Sequence, residues 1–270
     1  MTVSRPLRDL MSLDGRTAVV TGGAGPLGSV LSSTLAELGA RVVVIDLDEG
    51  ASQATADALD EVLVGPHLGI GANLMEAGVA SRIVDEVERV AGGLDIIVNN
   101  AAFTGTSGVP GYAVPFDEQT DEAFLSAAQL NLLAPFSLVR TALPLLRAST
   151  HGSVVNVSSI YGLVGPNMRL YDGTSMGNPA AYGATKGGIA QLTRYLATVM
   201  APGVRVNAIA PGGIARGQDE QFVQRYEALT PLGRMATEDD MRGAVAWLAS
   251  DAAGYVTGQV IAIDGGWTAW

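Results

Sequence analysis

Short runs of β-branched and aliphatic residues alternate with helix-spaced segments along almost the whole chain, and this alternation is its most constraining feature. Residues 17–20 form a β-branched run and 21–25 a glycine-rich turn. Leu27, Leu31, Leu35 and Leu38 then share one helical face before Gly39, a residue suited to ending a helix. Residues 41–45 are almost entirely valine and isoleucine, as in a strand buried on both faces. Further strands are expected at 68–72, 95–98, 153–157, 204–209 and 260–263. Helices are expected at 51–59, 79–90, 180–200 and over 121–146, the last interrupted near Pro135 and Pro144. Thr237 with Asp240 three residues on resembles a capping box opening another helix. About seven strands with helices between them predict an α/β fold, a doubly wound parallel sheet of Rossmann type. The chain reads as a single domain, with residues 1–13 as an extension before the first strand.

The 270 residues are 48% apolar and 16% charged, enough for a sizeable core. A net charge of -11 disfavours nucleic acid and anionic membrane as partners. No apolar run of about 18 residues free of charge occurs, and no signal-peptide core follows Arg5 and Arg8. With no cysteine there is no disulfide framework or thiolate site, which fits a cytoplasmic protein. His67 and His151 lack ligand spacing, so no metal site is expected.

The turn Thr21-Gly22-Gly23-Ala24-Gly25-Pro26-Leu27-Gly28 joins the first strand to the first helix. Glycines there let backbone approach a pyrophosphate at a helix N-terminus. Asp46 ends the second strand, 18 residues after Gly28, where an acid binds the ribose hydroxyls. No basic residue lies in the turn or directly after Asp46, which favours NAD over NADP. Gly22, Gly25, Leu27, Gly28 and Asp46 are the candidate cofactor residues of this region.

Among sixteen basic residues fifteen are arginine, and the one lysine, Lys186, falls four after Tyr182. On a helix the two side chains share a face. A neighbouring ammonium favours phenolate, which a tyrosine acting as acid or base needs.

With these residues the chain resembles the short-chain dehydrogenases/reductases, in their single-domain oxidoreductase branch, over residues 12–268. Asn99-Asn100-Ala101-Ala102, Asn131, Ser158-Ser159, Pro211-Gly212, Thr257-Gly258 and Asp264-Gly265-Gly266 complete the likeness. The resemblance implies a catalytic set of Asn131, Ser159, Tyr182 and Lys186. Tyr182 transfers the proton, Lys186 lowers its pKa and holds the nicotinamide ribose, Ser159 binds the reacting oxygen, and Asn131 positions a water. It also implies cofactor contacts from Asn73 and Leu74 beside the adenine and Asn100 and Ala101 along the ribose. Tyr182 and Lys186, and Pro211, Gly212 and Ile214 near the carboxamide, complete them. The activity implied is NAD(H)-dependent interconversion of a secondary alcohol and a ketone, in a homotetramer or dimer. Trp247, Trp267 and Trp270 read as core or subunit contacts.

Three departures stand out. Pro26 replaces a loop glycine, which suits a first helical turn. The resulting Gly23, Gly25, Gly28 phasing resembles a nucleotide-sugar epimerase or dehydratase with bound NAD, an alternative function. Ser159 and Tyr182 are 23 residues apart, so residues 160–180 carry an inserted substrate-side loop. Third, Arg216 stands where the family often has a small hydroxyl residue after the Pro-Gly motif; with Arg169 and Asn178 of the loop it suits a polar polyol, sugar or sugar-acid substrate. A dehydrogenase for a hydrophobic alcohol or ketone is the other alternative.

Overall fold

The computed structural model describes residues 4–59, 65–105 and 107–270; the first three residues of the expected extension lie outside them. Seven strands form one parallel sheet in the order β3-β2-β1-β4-β5-β6-β7. They are β1 Thr17–Thr21, β2 Arg41–Asp46, β3 Leu68–Gly71, β4 Ile96–Asn99, β5 Ser153–Val157, β6 Arg205–Pro211 and β7 Val260–Ile263. The helices are α1 Leu7–Met11, α2 Pro26–Glu37, α3 Glu49–Asp57, α4 Val79–Ala91, α5 Asp121–Ala128, α6 Ala134–Ala148, α7 Ala180–Met200, α8 Glu220–Ala228 and α9 Asp239–Ala249.

Alternate strand residues feed two core layers. Ala18, Val20, Val42 and Val44 pack with Leu31 and Leu35 of α2 and Val245 and Leu248 of α9. Val19, Val43 and Ile45 pack with Ile83 of α4, Leu138 and Leu146 of α6 and Leu196 of α7. The continuous valine and isoleucine run of β2 is thus required by helices on both faces. Truncating a fully buried leucine such as Leu31 costs about 2–5 kcal/mol.

The strand order reverses between β1 and β4, which opens a crevice at their C-terminal ends. The turns that follow β1, β4, β5 and β6 meet along that edge.

The expected 121–146 helix is continuous but changes pitch. Between α5 and α6, Gln129–Leu133 forms a π-helical turn, in which the Ala134 N–H reaches back five residues to the Gln129 carbonyl. Pro135 has no N–H for the carbonyl of Asn131, so widening, not breakage, is the response at this point. Pro144 sits inside α6 without ending it. Asp121–Ala148 is long and apolar enough to cross a membrane by length and composition. Here it packs beside α4 and α7.

Two further segments differ from expectation. Residues 1–13 contain the short helix α1, with Leu13 fully buried and Arg5 bonded to Asp251 at 3.1 Å. Helix α8 has no counterpart among the expected elements. The capping box at α9 is half formed: Asp240 accepts from the Thr237 N–H at 2.7 Å, and the helix begins at Asp239.

Candidate active site

The glycine turn is packed too tightly for side chains. Gly22 has φ +62°, and a Cβ there would meet the Ala101 Cα at 2.9 Å. A Cβ on Gly28 would lie 1.9 Å from the Gly22 carbonyl oxygen. Gly25 caps α2 and Pro26 is its first residue, with Leu27 buried in the core behind it. The turn is stitched to β4 by Asn100, whose Nδ2 donates to the carbonyls of Thr21 and Gly22 at 3.0 and 2.9 Å. Thr21 Oγ1 accepts from the N–H groups of Asn100 and Ala101. This cradle fits a dinucleotide: bare backbone faces the crevice at a helix N-terminus. Asp46 closes it, accepting from the Ala24 N–H at 3.0 Å and from the Leu47 N–H at 2.8 Å.

The remaining cofactor candidates flank this cradle. Asn73 Oδ1 accepts from the Met75 N–H, which shapes the turn after β3, and Leu74 packs on the adjacent core layer. Pro211 ends β6, and the Gly212 N–H bonds to the Ile263 carbonyl at 2.9 Å. Ile214 is half-buried and pairs with Ala236 in a short parallel bridge.

Ser159, Tyr182 and Lys186 converge because the turn after β5 packs directly on α7. Ser158 Oγ donates to the Lys186 carbonyl at 2.8 Å, and a Cβ on Gly162 would meet Lys186 backbone at 2.6 Å. Ser159 caps the following short turn by accepting from the Tyr161 N–H. Burial raises the Tyr182 pKa above its ordinary value, the neighbouring Ser159 hydroxyl opposes this, Tyr171 adds to it, and the Arg216 charge opposes it. Lys186 is buried and donates from Nζ to the Val157 carbonyl at 2.7 Å. Its Nζ lies over the Tyr182 ring, 5.9 Å from the centroid. Burial lowers its pKa from the ordinary 10.5 to about 8. Arg216 thus adds a positive charge near Tyr182, and the Lys186 ammonium sits over the ring as the Tyr-x-x-x-Lys spacing leads one to expect.

Asn131 lies in the π-helical turn and is 2% exposed. Its Oδ1 accepts from the Phe103 N–H at 2.7 Å, and its Nδ2 donates to Thr185 Oγ1 at 3.1 Å. The amide thus ties α7 to the segment after β4. The Asn131 main-chain carbonyl has no i+4 donor, because Pro135 lacks an N–H.

The inserted loop is folded onto α8. Leu170 is buried, and Arg225 donates to the carbonyls of Leu170 and Asp172 at 3.2 and 2.5 Å. Asn178 Nδ2 donates to the Tyr171 hydroxyl at 3.3 Å. Arg216 is exposed and paired with Glu238 at 2.8 Å. Arg169 is exposed, and its N–H bonds to Asn167 Oδ1. Asn178 and Arg216 therefore gather near Tyr182 or its neighbours, whereas the structure gives Arg169 no side-chain bond there.

Sequence reading missed the aromatic wall. Tyr161, Tyr171, Phe222, Tyr226 and Trp267 form one cluster, with Tyr226 stacked on Trp267 at 5.8 Å. Trp267 belongs to this cluster, Trp247 packs on the α2–α9 core layer, and Trp270 is exposed. Spacing of Phe222, Val223 and Tyr226 was the available signal for an amphipathic α8. His151 bonds to Asp251 at 3.0 Å and His67 Nδ1 accepts from the Val42 N–H. Among the described residues no group of three or more His, Cys, Asp or Glu is gathered as for a metal ion.

A family model described as enoyl-(acyl carrier protein) reductase matches residues 23–268. The chain is 34% identical over 262 residues to cis-4-hydroxycyclohexanecarboxylate dehydrogenase of Sinomonas cyclohexanicum, covering 94% of this chain and 97% of the relative. A short-chain dehydrogenase from Leptospira borgpetersenii with bound NAD+ superposes with a TM-score of 0.81 at 32% identity, covering 99% of this chain and 98% of that one. A gluconate 5-dehydrogenase from Burkholderia cenocepacia in complex with NADP and tartrate gives 0.85 at 27%, covering 98% and 100%. The chain belongs to the short-chain dehydrogenase/reductase family of oxidoreductases; of the solved structures it resembles, the one from Leptospira borgpetersenii holds NAD+, and two others hold NADP.

Proposed function

We propose that this family member uses NAD(H) to interconvert a secondary alcohol and a ketone on a polar polyol, sugar or sugar-acid substrate, most simply one bearing a carboxylate. Asp46 carries the cofactor choice. Its carboxylate is held at the mouth of the glycine turn by the Ala24 N–H at 3.0 Å. A fixed negative charge there accepts from ribose hydroxyls and repels a 2′-phosphate. Leu47, Asp48 and Glu49 follow it and supply no compensating cation.

The bound nicotinamide supplies hydride exchange with the substrate carbon. Tyr182 holds or gives the proton at the substrate oxygen, and Ser159 donates to that same oxygen. Raised by burial, the Tyr182 phenol keeps its proton at neutral pH, which suits it to protonate the oxygen during ketone reduction. Alcohol oxidation needs the phenolate, and Arg216 and Ser159 favour it. Arg216 at the mouth supports a carboxylate-bearing substrate, as does likeness to dehydrogenases named for a hydroxy acid and for gluconate. The aromatic wall favours a second reading, a hydrophobic alcohol or ketone.

A panel of polyols, sugars and hydroxy acids, read by NADH absorbance with hydrophobic alcohols as controls, separates the two. Turnover of the hydrophobic set alone overturns the polar-substrate reading. Better kcat/KM with NADP than with NAD overturns the argument from Asp46.

Exposed Phe124, Leu125 and Leu133 along α5–α6 and Tyr195 and Val199 on α7 support a homo-oligomer built on these helices. Sedimentation as a monomer at micromolar concentration would refute it.

A further inference from the structure

We propose that the Tyr161 and Tyr171 hydroxyls form a second oxygen-binding subsite beside the reacting centre, one that receives a carboxylate oxygen of the substrate. The proposal rests on the polar-substrate reading above and deepens it.

Hydrogen counting carries the argument. The two phenol oxygens are 3.2 Å apart, so one donates to the other. Asn178 Nδ2 donates into Tyr171 at 3.3 Å. Two phenols bring two hydrogens, and their mutual bond uses one. Among the described residues no acceptor takes the other. The pair is therefore left with one surplus donor and no need for another, which fits an acceptor-only group. A carboxylate oxygen is such a group; a lone hydroxyl brings a hydrogen of its own.

Placement supports the same conclusion. Tyr161 is two residues after Ser159, in the turn packed on α7. Tyr171 lies close enough to Tyr182 to disfavour its ionisation. Both rings are braced from behind. Tyr171 packs on Phe222 at 5.2 Å, and Tyr161 meets Trp267 edge-on at 6.3 Å. Arg225 pins the backbone on either side of Tyr171 through the carbonyls of Leu170 and Asp172. The hydroxyls are thus fixed before substrate arrives, so little ordering cost is left for binding. Burial raises the Tyr161 pKa and keeps that phenol a donor.

The test uses Tyr161→Phe, Tyr171→Phe and the double variant, each of which retains its ring and so its aromatic packing. Full-length enzyme saturated with NADH is titrated calorimetrically with cyclohexanecarboxylate, D-gluconate and tartrate, and with cyclohexanol as the probe lacking a carboxylate. NADH affinity and melting temperature report that each variant is folded. A bond from a phenol to an anion accounts for roughly 10- to 100-fold in affinity. The expected result is that preference for the best-bound carboxylate over cyclohexanol falls by that factor in the double variant, which keeps neither phenol hydrogen. Each single variant should fall less, because the remaining phenol regains the hydrogen that the mutual bond had used. Wild-type binding of a carboxylate that the double substitution does not weaken would overturn the subsite alone. If wild type binds cyclohexanol and none of the carboxylates, the polar-substrate reading fails and the subsite fails with it.

Discussion

Lys186→Met separates what the lysine does for catalysis from what it does to the fold. Methionine has nearly the same length and no charge, so the main changes are loss of the ammonium and of its bond to the Val157 carbonyl. In the folded protein Lys186 is 4% exposed and burial lowers its pKa from 10.5 to about 8. The unfolded chain keeps the proton up to the ordinary value. Between pH 8 and 10.5 the unfolded state thus binds more protons, and wild-type stability rises with pH through that window. Below pH 8 both states are protonated and the burial penalty of about 3 kcal/mol is present in full. From pH 7 to pH 10 the wild type should gain about 2.5 kcal/mol relative to Lys186→Met. Urea titrations of both proteins at pH 7, 8.5 and 10 measure that difference directly, since every other titrating group is common to the pair. With a slope near 2.5 kcal/mol per molar, the two midpoints should move by about 1 M relative to each other. A difference independent of pH would refute the claim that a buried, desolvated ammonium occupies this position. Turnover should be lost in the variant at every pH.

Other perturbations probe the frame around the site. Gly28→Ala places a Cβ 1.9 Å from the Gly22 carbonyl oxygen, which overpacks the turn by about 1–3 kcal/mol and outweighs the roughly 1 kcal/mol gain in helix propensity. The variant should melt lower and bind NADH far more weakly; a higher melting temperature would refute the packing account. Asp251→Asn keeps an amide oxygen but removes the negative charge opposite Arg16, whose guanidinium is buried and bonded at 2.9 Å, and should cost about 3–5 kcal/mol at pH 7. Burial pushes the Asp251 carboxyl up, but His151, Arg16 and Arg5 outweigh it and hold it below the ordinary value. Its contribution is therefore present above the ordinary carboxylate range and lost as pH falls through the folded value. Acidification from pH 5 to pH 3 should destabilise wild type more than the variant.

The sheet was legible because its five central strands are buried almost throughout and its helices carry one apolar stripe each, so period and length distinguish them. Gly28 and Asp46 were legible because a dinucleotide cradle needs a particular residue at a particular spacing. Tyr182 and Lys186 were legible as a helical pair, but their mutual geometry was not. An i,i+4 spacing brings the ammonium to the phenol ring, and only the Val157 carbonyl, 29 residues away in sequence, decides where Nζ points. The same limit hid the role of Asn131, whose amide is taken up by Phe103 and Thr185. Helix α8 was overlooked because its nine residues carry a short apolar face amid polar ones, and the loop it supports supplies the rest of that packing.

The choice of lysine at position 186 follows from acceptor supply. Two arginines show the contrast: buried Arg41 donates to the carbonyls of Pro66 and Val90, and half-buried Arg205 to those of Leu248 and Ser250. A guanidinium brings five donors in a rigid plane and does not give up its proton. At position 186 the bond formed within the chain is to one carbonyl, that of Val157. An arginine there would leave several buried donors without acceptors at about 1–3 kcal/mol each. An ammonium has three donors on a compact head, so one bond to Val157 leaves only two others. It also sheds its proton near pH 8, which an arginine cannot do. The single lysine among fifteen arginines thus stands at a buried position where one backbone carbonyl is the acceptor that the fold supplies.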